Sequence, residues 1–374
     1  MNCCPNCFKD PYAASEIKRL AAGTKVPVGK CDFCGAENVQ YLVELKPESE
    51  LADMFAKLIE VLVVCDGPAP DGVAPRAMPF EDMLQNTWGL FNFASTESMA
   101  SKIKAFLSCL FPEDQSVSRL YGRPVRVADS YNDITRREAC ALGDKDWDRF
   151  ARELRLHRRL TSKPSEEYED ALTKLSAALW KEIPPGSDFY RARIWNAERQ
   201  PMEEDMSEPP VSSAGRMNAQ GIKCLYLSAD EVTAVSEVRA GSHDCVALVR
   251  WRTTRTLKAI DLTELERVSP FMDIDVYTLM ANLNFLRRFA KEMARPQCQG
   301  DDTLNYLSTQ YWCEALRFSS DSDEPYDGFI YKSVMRSGGE NMIVYGGVEG
   351  NFEAASRPYI RRVGSIEYSL DAVD

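Results

Sequence analysis

Histidine and long apolar runs are both scarce in this sequence. Two histidines occur among 374 residues, too few for the histidine-rich ligand sets of most catalytic zinc sites. The longest apolar runs, such as LIEVLVVC, fall far short of the roughly 20 residues that a membrane-spanning helix needs. The N-terminal MNCCPNCFKD lacks the apolar core of a signal peptide. We therefore expect a cytoplasmic protein with no membrane partner.

An excess of positive charge is also missing. Lysine and arginine number 45 against 57 aspartates and glutamates, a formal net charge of −12. Because duplex nucleic acid is bound largely through its phosphates, this balance argues against a nucleic acid partner. Internal repeats and long low-complexity tracts are absent too. What remains is a folded globular composition, 44% hydrophobic and 10% aromatic, in a chain long enough for two or more domains.

Four of the twelve cysteines form two tight pairs. Cys4 with Cys7 and Cys31 with Cys34 are CxxC units, and each can fold into a knuckle that offers two thiolates to one ion. Together they predict a tetrahedral, structural Zn²⁺ site, with Cys3 as an alternative to Cys4. Four thiolates leave no open position, so we do not expect a catalytic metal. The competing interpretation is two redox dithiols or unrelated free cysteines.

Changes of pattern along the chain predict three domains and the α+β fold class. Residues 1–45 are rich in cysteine and form the predicted zinc ribbon. Residues 46–182 carry helical spacing, which is clearest from Leu51 to Leu62, where apolar side chains recur at i, i+3, i+4 and i+7. Residues 183–374 mix short apolar strands with helices.

Five short apolar segments of the C-terminal region predict strands. Asp230 follows one of them and is placed to cap a helix that carries Glu237. The acidic stretch at 200–214 predicts a long loop. The strand segments are KCLYLS (223–228), CVALVRW (245–251), TLKAIDL (256–262), FIYKS (329–333) and NMIVYGG (341–347).

The segment ARELRLH offers Arg152 and His157 on a predicted helix. The same spacing occurs in the ribonuclease motif of HEPN helical domains, in which an Arg and a His act on an RNA phosphodiester. A five-residue offset places the two side chains about 140° apart around a helix, so they do not share one face. We favour the alternative that both residues lie on a charged helix surface.

The polar residues of the C-terminal region are ordinary when taken singly, as strand, helix-surface or hairpin residues. In the order FYRAR, GRMNAQG, LYLSADEVTAVSEVR and YDGFIYKSVMRSGGEN, they resemble the RES domain, a family named for its Arg, Glu and Ser. The resemblance covers roughly residues 183–374. The matching positions are Arg191, Gly215, Arg216, Asn218, Gly221, Tyr226, Glu237, Ser333, Gly338 and Gly339.

The N-terminal half more loosely resembles the HEPN-like domain that precedes some RES domains, through a CxxC pair and a DPY-type segment. One departure concerns the Gly-Arg turn. Many family members have Gly-Gly-Arg-Trp-Asn, whereas Ala214 and Met217 stand here in place of the first Gly and the Trp. A ligand contact made by that Trp is therefore not expected from Met217.

The resemblance implies a RES fold similar to that of ADP-ribosyltransferases and an NAD⁺-degrading toxin. Such an enzyme breaks the nicotinamide–ribose bond, as a glycohydrolase with water or a phosphorylase with phosphate as acceptor. Cleavage passes through an oxocarbenium-like state, which a carboxylate stabilises, and arginines suit a pyrophosphate. The implied catalytic residues are Glu237, Arg191 and Ser333, and the implied NAD⁺-binding residues are Arg191, Arg216, Asn218, Tyr226 and Ser333.

The same resemblance implies bacterial context and an antitoxin or immunity protein as partner, and self-association into a homo-oligomer stays open. Three alternatives remain at this point. The same fold could transfer ADP-ribose to a protein or nucleic acid. The helical region could act as a HEPN-type ribonuclease. The whole chain could be an interaction module without catalysis, although the intact Arg, Arg, Glu and Ser set argues against a decayed RES domain.

Overall fold

The computed structural model divides the chain into two compact units. The first comprises Met1–Ala139 and Arg267–Leu283, and the second comprises Cys140–Glu266 and Asn284–Asp374. The structure describes residues 1–23, 28–65, 78–93, 98–127, 140–142, 146–157, 166–196, 198–263, 265, 268–295, 303–320 and 324–366, with backbone alone at 166–170.

The first unit is mainly helical, with two small antiparallel sheets that pair as β1–β2 and β3–β5–β4. The described part of this unit also has a 3₁₀ turn at Pro5–Cys7 and a π-helix at Met83–Thr87. Its helices are α1 (Pro11–Gly23), α2 (Glu50–Glu60), α3 (Phe80–Asp82), α4 (Met99–Leu110) and α5 (Gln115–Ser118), and its strands are β1 (Asn2–Cys3), β2 (Val43–Glu44), β3 (Leu62–Val64), β4 (Met78–Pro79) and β5 (Pro124–Val127).

Aromatic rings fill the core of the first unit. Phe106 of α4 lies 5.3 Å from Phe55 of α2 and 5.4 Å from Phe91, measured between ring centroids. Phe271 packs on Phe55 at 5.0 Å, which explains why residues 267–283 belong to this unit. The predicted helical stripe is buried along α2, but it ends before Leu62, which begins β3.

The second unit is built on a nine-stranded sheet. Along the sheet the strands run β13-β9-β7-β8-β12-β11-β10-β6, and β14 also pairs with β9. A 3₁₀ turn at Thr303–Tyr306 precedes the last helix. The strands are β6 (Trp180–Ile183), β7 (Asp188–Ile194), β8 (Cys224–Ser228), β9 (Cys245–Thr253), β10 (Leu257–Asp261), β11 (Gly328–Lys332), β12 (Glu340–Tyr345), β13 (Phe352–Ala354) and β14 (Tyr359–Arg362).

Among the described residues six further helices follow in chain order, and the unit boundary at 283/284 falls within the longest of them. Asp230 caps the helix that carries Glu237, as predicted, by accepting a hydrogen bond from the Thr233 amide at 3.0 Å. The helices are α6 (Trp147–Leu156), α7 (Glu166–Leu179), α8 (Glu203–Met206), α9 (Glu231–Glu237), α10 (Val276–Met293) and α11 (Leu307–Arg317).

Strand pairing in the large sheet is antiparallel except between β10 and β11. Side chains alternate between its two faces. One face carries the larger apolar core, which includes Leu225, Leu227 and Trp251. The opposite face is covered by α9, whose Ala234 packs with Ala192 of β7 and Leu248 of β9.

Residues 140–182 belong to the second unit by their contacts, although the sequence groups them with the helical region. Phe150 of α6 lies 5.3 Å from Trp312 of α11, and β6 adds the edge strand through the pairing of Ile183 with Leu257. Long-range strand pairing and ring packing of this kind leave no local signal. The three-domain division at 45 and 182 stays a prediction.

The predicted α+β class is confirmed, and all five predicted strand segments contain observed strands. The acidic stretch at 200–214 is not wholly loop, because Glu203–Met206 forms one helical turn and Met206 is fully buried. In the part of the chain that the structure describes, no helix is long and apolar enough to cross a membrane.

Candidate functional site

The four paired cysteines converge in the first unit. Sγ of Cys4 lies 3.4 Å from Sγ of Cys34 and 3.9 Å from that of Cys7, which lies 3.4 Å from Sγ of Cys31. All four sulfurs lie within 4.8 Å of one another. A tetrahedral Zn²⁺ with bonds of about 2.3 Å would place sulfurs about 3.8 Å apart. The group therefore has the donors and spacing to hold a metal ion.

Local backbone geometry builds the two cysteine knuckles. The Cys7 amide donates to the Cys4 carbonyl at 3.1 Å, and the Gly35 amide donates to the Cys31 carbonyl at 3.0 Å. Gly35 has a φ of +72°, a conformation that glycine adopts without strain. Cys3 is buried but stands outside the four-cysteine group, so the geometry favours Cys4 as the ligand.

A cleft of about 420 Å³ opens in the second unit. Part of its lining comes from three neighbouring strands, because Ser228 of β8, Asn341 of β12 and Tyr331 of β11 occupy adjacent register positions. Register neighbours share one face of a sheet. The face that these residues occupy is opposite the larger apolar core, so polar side chains are grouped here without disrupting that core.

The sheet is nearly interrupted beside the cleft. β7 and β8 pair at one position, Tyr190 with Ser228, and the two strands separate beyond it. Arg191 lines the cleft, and its Nη1 donates to the Tyr226 carbonyl at 3.0 Å. Burial lowers the pKa of Arg191 to about 10, which leaves the guanidinium charged at neutral pH. Its buried Nε has no hydrogen-bond partner.

Glu237 is held at the end of α9 by two donors. Its Oε1 accepts from Ser333 Oγ at 2.6 Å and from Asn341 Nδ2 at 2.7 Å. Asn341 is itself oriented by Ser228, whose Oγ donates to Oδ1 at 2.7 Å. Among the described residues no donor is bound to Oε2 of Glu237, and the side chain is exposed. One carboxylate oxygen is therefore fixed and the other is available to a ligand.

Ser333 lies one residue beyond β11, not on the strand as expected. Its Oγ accepts from the backbone amides of Met335 at 3.2 Å and Arg336 at 3.0 Å, which closes a tight turn. The Arg336 side chain donates to Asp230 at 2.5 Å and so joins this turn to the start of α9. Ser333 is not among the residues that line the cleft; it reaches the cleft through Glu237.

Gly339 allows the turn to approach α9 closely. A Cβ at this position would lie 2.7 Å from Thr233 Oγ1 and 3.1 Å from the Ser333 Cβ. Non-bonded heavy atoms do not pack closer than about 3 Å unless the structure shifts. The glycine at this position therefore keeps Ser333 within reach of Glu237.

The Gly-Arg-x-Asn turn is locked by buried polar contacts. Asn218 accepts from the Tyr226 hydroxyl at 2.7 Å and donates to the carbonyls of Ser213 and Ala219. It is 2% exposed and does not line the cleft, so it supports the turn. A Cβ at Gly215 would lie 2.6 Å from the Tyr226 hydroxyl, which explains glycine there.

Arg216 projects from this turn into the cleft wall, but part of its guanidinium is already engaged. Its Nη1 donates to the carbonyls of Glu292 at 2.7 Å and Met293 at 3.0 Å, the last turn of α10. The guanidinium also lies 5.6 Å from the centre of the Tyr306 ring. Arg216 is thus anchored, and only part of its guanidinium is left for the ligand contact that the resemblance implies.

Positive charge and tyrosine rings dominate the cleft. Four arginines line it against one glutamate, in a protein of net charge −12. Sequence reasoning missed Tyr331, which sits two residues before Ser333 in FIYKS, and Asn341 in the following strand. It also missed Arg295 and Tyr306, for which no local signal exists. The arginines are Arg191, Arg216, Arg239 and Arg295, and the tyrosines are Tyr190, Tyr226, Tyr306 and Tyr331.

Burial also determines the protonation state of two cleft tyrosines. Desolvation is the largest effect that raises the pKa of Tyr226 and of Tyr331 well above the ordinary value. Both phenols therefore stay neutral and can donate hydrogen bonds. Arg152 and His157 lie outside this cleft, and His157 follows the last residue of α6.

Comparison with known protein families gives a match in the C-terminal part of the chain. Residues 189–371 match the family model of the RES domain, a family associated with toxin activity related to NAD⁺. No significant match was found among curated proteins or solved structures, and the HEPN-like resemblance of the helical region stays a prediction. The predicted RES relationship is confirmed, and the chain carries a RES domain at residues 189–371.

Proposed function

We propose that this protein degrades NAD⁺ by breaking the N-glycosidic bond between nicotinamide and ribose, with water or phosphate as acceptor. One observation carries the proposal. Arg191 and Glu237, 46 positions apart in the sequence, line the same cleft, and Ser333 holds the Glu237 carboxylate there. The Arg, Glu and Ser after which the family is named thus meet at one place.

Arg191 fits an anionic ligand because it is half-buried without a counter-ion. Among the described residues no carboxylate forms an ion pair with it, and its Nε is unpartnered. An unpaired charge in a partly desolvated position is costly, and a pyrophosphate in the cleft would supply the missing negative charge. The cleft volume of about 420 Å³ lies in the range of small-molecule sites.

Glu237 suits the stabilisation of a ribosyl cation. Oε1 is fixed by Ser333 and Asn341, so the free Oε2 is preorganised to hold a ribose hydroxyl or to face the developing positive charge. Electrostatic groups that are fixed before the reaction need no reorganisation in the transition state. Ser333 and Asn341 are positioning residues in this scheme.

The reaction balances without a general acid. As the bond from ribose C1′ to the pyridinium nitrogen breaks, the electron pair moves to nitrogen and nicotinamide leaves neutral. An oxygen of water or phosphate then forms the new bond to C1′, and water releases its proton to solvent. No histidine lines the cleft, in agreement with a leaving group that needs no proton.

The remaining cleft residues suit binding. Arg216 and Tyr226 are held by hydrogen bonds and line the same cleft as Arg191. The tyrosine rings offer flat surfaces for the nicotinamide and adenine rings. Asn218 supports the turn that carries Arg216. In the first unit we propose that the four-cysteine group holds a structural Zn²⁺, which would stabilise a segment with few regular elements.

Product analysis tests the proposal. Purified protein is incubated with NAD⁺, with and without phosphate, and nicotinamide, ADP-ribose and phosphorylated ADP-ribose are separated by chromatography. Release of nicotinamide in step with one ADP-ribose product supports the proposal, and the phosphate arm assigns the acceptor. Transfer of label from NAD⁺ onto a macromolecule would support an ADP-ribosyltransferase instead. Intact NAD⁺ in every arm would contradict both.

A further inference from the structure

A second cleft, of about 490 Å³, lies in the same unit. It is formed by α6, the end of α10 and the start of α11. Its lining is charged, with four arginines against two carboxylates. The residues are Trp147, Asp148, Ala151, Arg152, Arg155, Leu156, Arg288, Glu292, Arg295 and Ser308.

Both carboxylates of this cleft serve Arg288. Its Nη2 lies 3.0 Å from an oxygen of Asp148 and 3.1 Å from an oxygen of Glu292. Its buried Nε has no partner. Both carboxylates of the cleft are therefore paired with Arg288, whose Nε still lacks an acceptor.

The other arginines leave the cleft positive. In the described parts of the chain, no carboxylate forms an ion pair with Arg152 or Arg295, and both side chains are exposed. With Arg155 they give the lining a formal charge of +2 after Asp148 and Glu292 are subtracted from the four arginines.

A hydroxyl without a hydrogen-bond partner among the described residues also faces this cleft. Ser308 is 5% exposed and lines it, yet no described residue provides a hydrogen-bond partner for its Oγ. Ser308 is the second residue of α11, which runs for 11 residues.

We propose that the second cleft binds a small anionic ligand that carries two or more phosphate groups. Arginines recognise phosphate through paired hydrogen bonds, and the exposed Arg152 of α6 and Arg295 beyond α10 offer donors from two segments of the cleft wall. Ser308 provides a neutral donor between α6 and α11. The cleft is larger than one phosphate group requires, which favours a ligand with several.

The two clefts share a wall. Arg295 lines both, and Glu292 contributes its side chain to the second cleft while its carbonyl holds Arg216 of the first. A phosphate-bearing ligand would therefore change the apparent affinity of the first cleft for NAD⁺. This coupling rests on the proposed function, whereas binding at the second cleft does not.

Calorimetry without NAD⁺ tests the binding itself. Tripolyphosphate is titrated into the full-length protein at an ionic strength of about 0.15 M, where diffuse surface attraction is screened. We expect one saturable site. Arg152→Ala and Ser308→Ala should weaken it about tenfold or more, the usual effect of losing a hydrogen bond to a charged group.

Arg149→Ala is the matched control, because Arg149 is an exposed arginine on the same helix and does not line the cleft. It should leave the affinity unchanged. Equal weakening by Arg149→Ala and Arg152→Ala would show diffuse charge attraction and overturn the proposal. If Arg191→Met abolished binding while Arg152→Ala left it intact, the ligand would occupy the first cleft. This result would also overturn the proposal.

Discussion

At the scale of single residues, the Glu237 carboxylate is the group whose charge the proposed reaction needs most. Glu237→Gln keeps the side-chain shape and an oxygen that can accept from Ser333. We expect turnover to fall about 10²-fold or more while NAD⁺ binding persists, because the lost charge acts in the transition state. Steady-state kinetics with calorimetric binding of NAD⁺ measures both effects.

Glu353→Gln is a suitable control, since this exposed carboxylate on β13 is outside the cleft, and its activity should be that of the unmodified protein. Ser333→Ala should reduce kcat less than Glu237→Gln, because Asn341 still holds Oε1. Full activity in Glu237→Gln would refute the proposed mechanism.

Arg191 is expected to contribute to NAD⁺ binding while lowering the stability of the folded protein. The pKa of Arg191 is lowered to about 10, which means that folding disfavours the charged guanidinium. This penalty to the stability of the fold is fully present below pH 10 and shrinks as the pH rises above 10. Arg191→Met should therefore raise the free energy of unfolding at pH 7 by about 1–3 kcal/mol while NAD⁺ binding is lost. Denaturant unfolding and calorimetry measure the two quantities.

Arg252 provides the comparison for this change. It lies on the neighbouring strand β9 and pairs with Asp188 at 2.7 Å, so Arg252→Met should not stabilise the protein. If Arg191→Met were destabilising and still bound NAD⁺ normally, the assignment of Arg191 as a buried anion receptor would be wrong.

At the scale of elements, the turn between β11 and β12 positions the site by packing on α9. In Gly339→Ala the new Cβ would meet Thr233 Oγ1 at 2.7 Å, so the turn must shift and Ser333 must leave Glu237. We expect stability to fall by about 1–3 kcal/mol and turnover to fall at least as far as in Ser333→Ala. Thermal unfolding and kinetics provide the measurements.

Gly364→Ala is the matched control, because no heavy atom lies within 4 Å of a Cβ placed there and its φ is ordinary. It should match the unmodified protein in both assays. If Gly339→Ala behaved in the same way, close packing of the turn would not be what positions Ser333.

At the scale of the whole molecule, the cysteine group and the cleft belong to different units. We expect one zinc per chain by elemental analysis. The Cys31→Ser variant should lose this zinc, and its first unit should unfold at a lower temperature. Nicotinamide release by the second unit should continue. Cys3→Ser should retain the metal, since Cys3 is outside the group. Protein that is purified without chelator and contains no zinc would contradict this prediction.

The sequence by itself determined the local features of this protein. The CxxC pairs, the Asp230 cap and the five strand segments are set by neighbouring residues, and the ordered motifs from FYRAR to SGGEN were sufficient to predict the RES domain. Hydrogen bonds within a few residues and alternation along a strand leave a readable pattern. Family resemblance, not spacing, indicated that Arg191, Glu237 and Ser333 act together.

Only the tertiary structure decided how these residues meet. The separation of β7 from β8 exposes Arg191 to the cleft, and Ser333 bonds to Glu237 from 96 positions away. Tyr331 and Arg295 join the lining, and residues 140–182 join the second unit, through strand pairing and packing between distant segments. Such contacts depend on which elements become neighbours in space, and periodicity along the chain does not encode that choice.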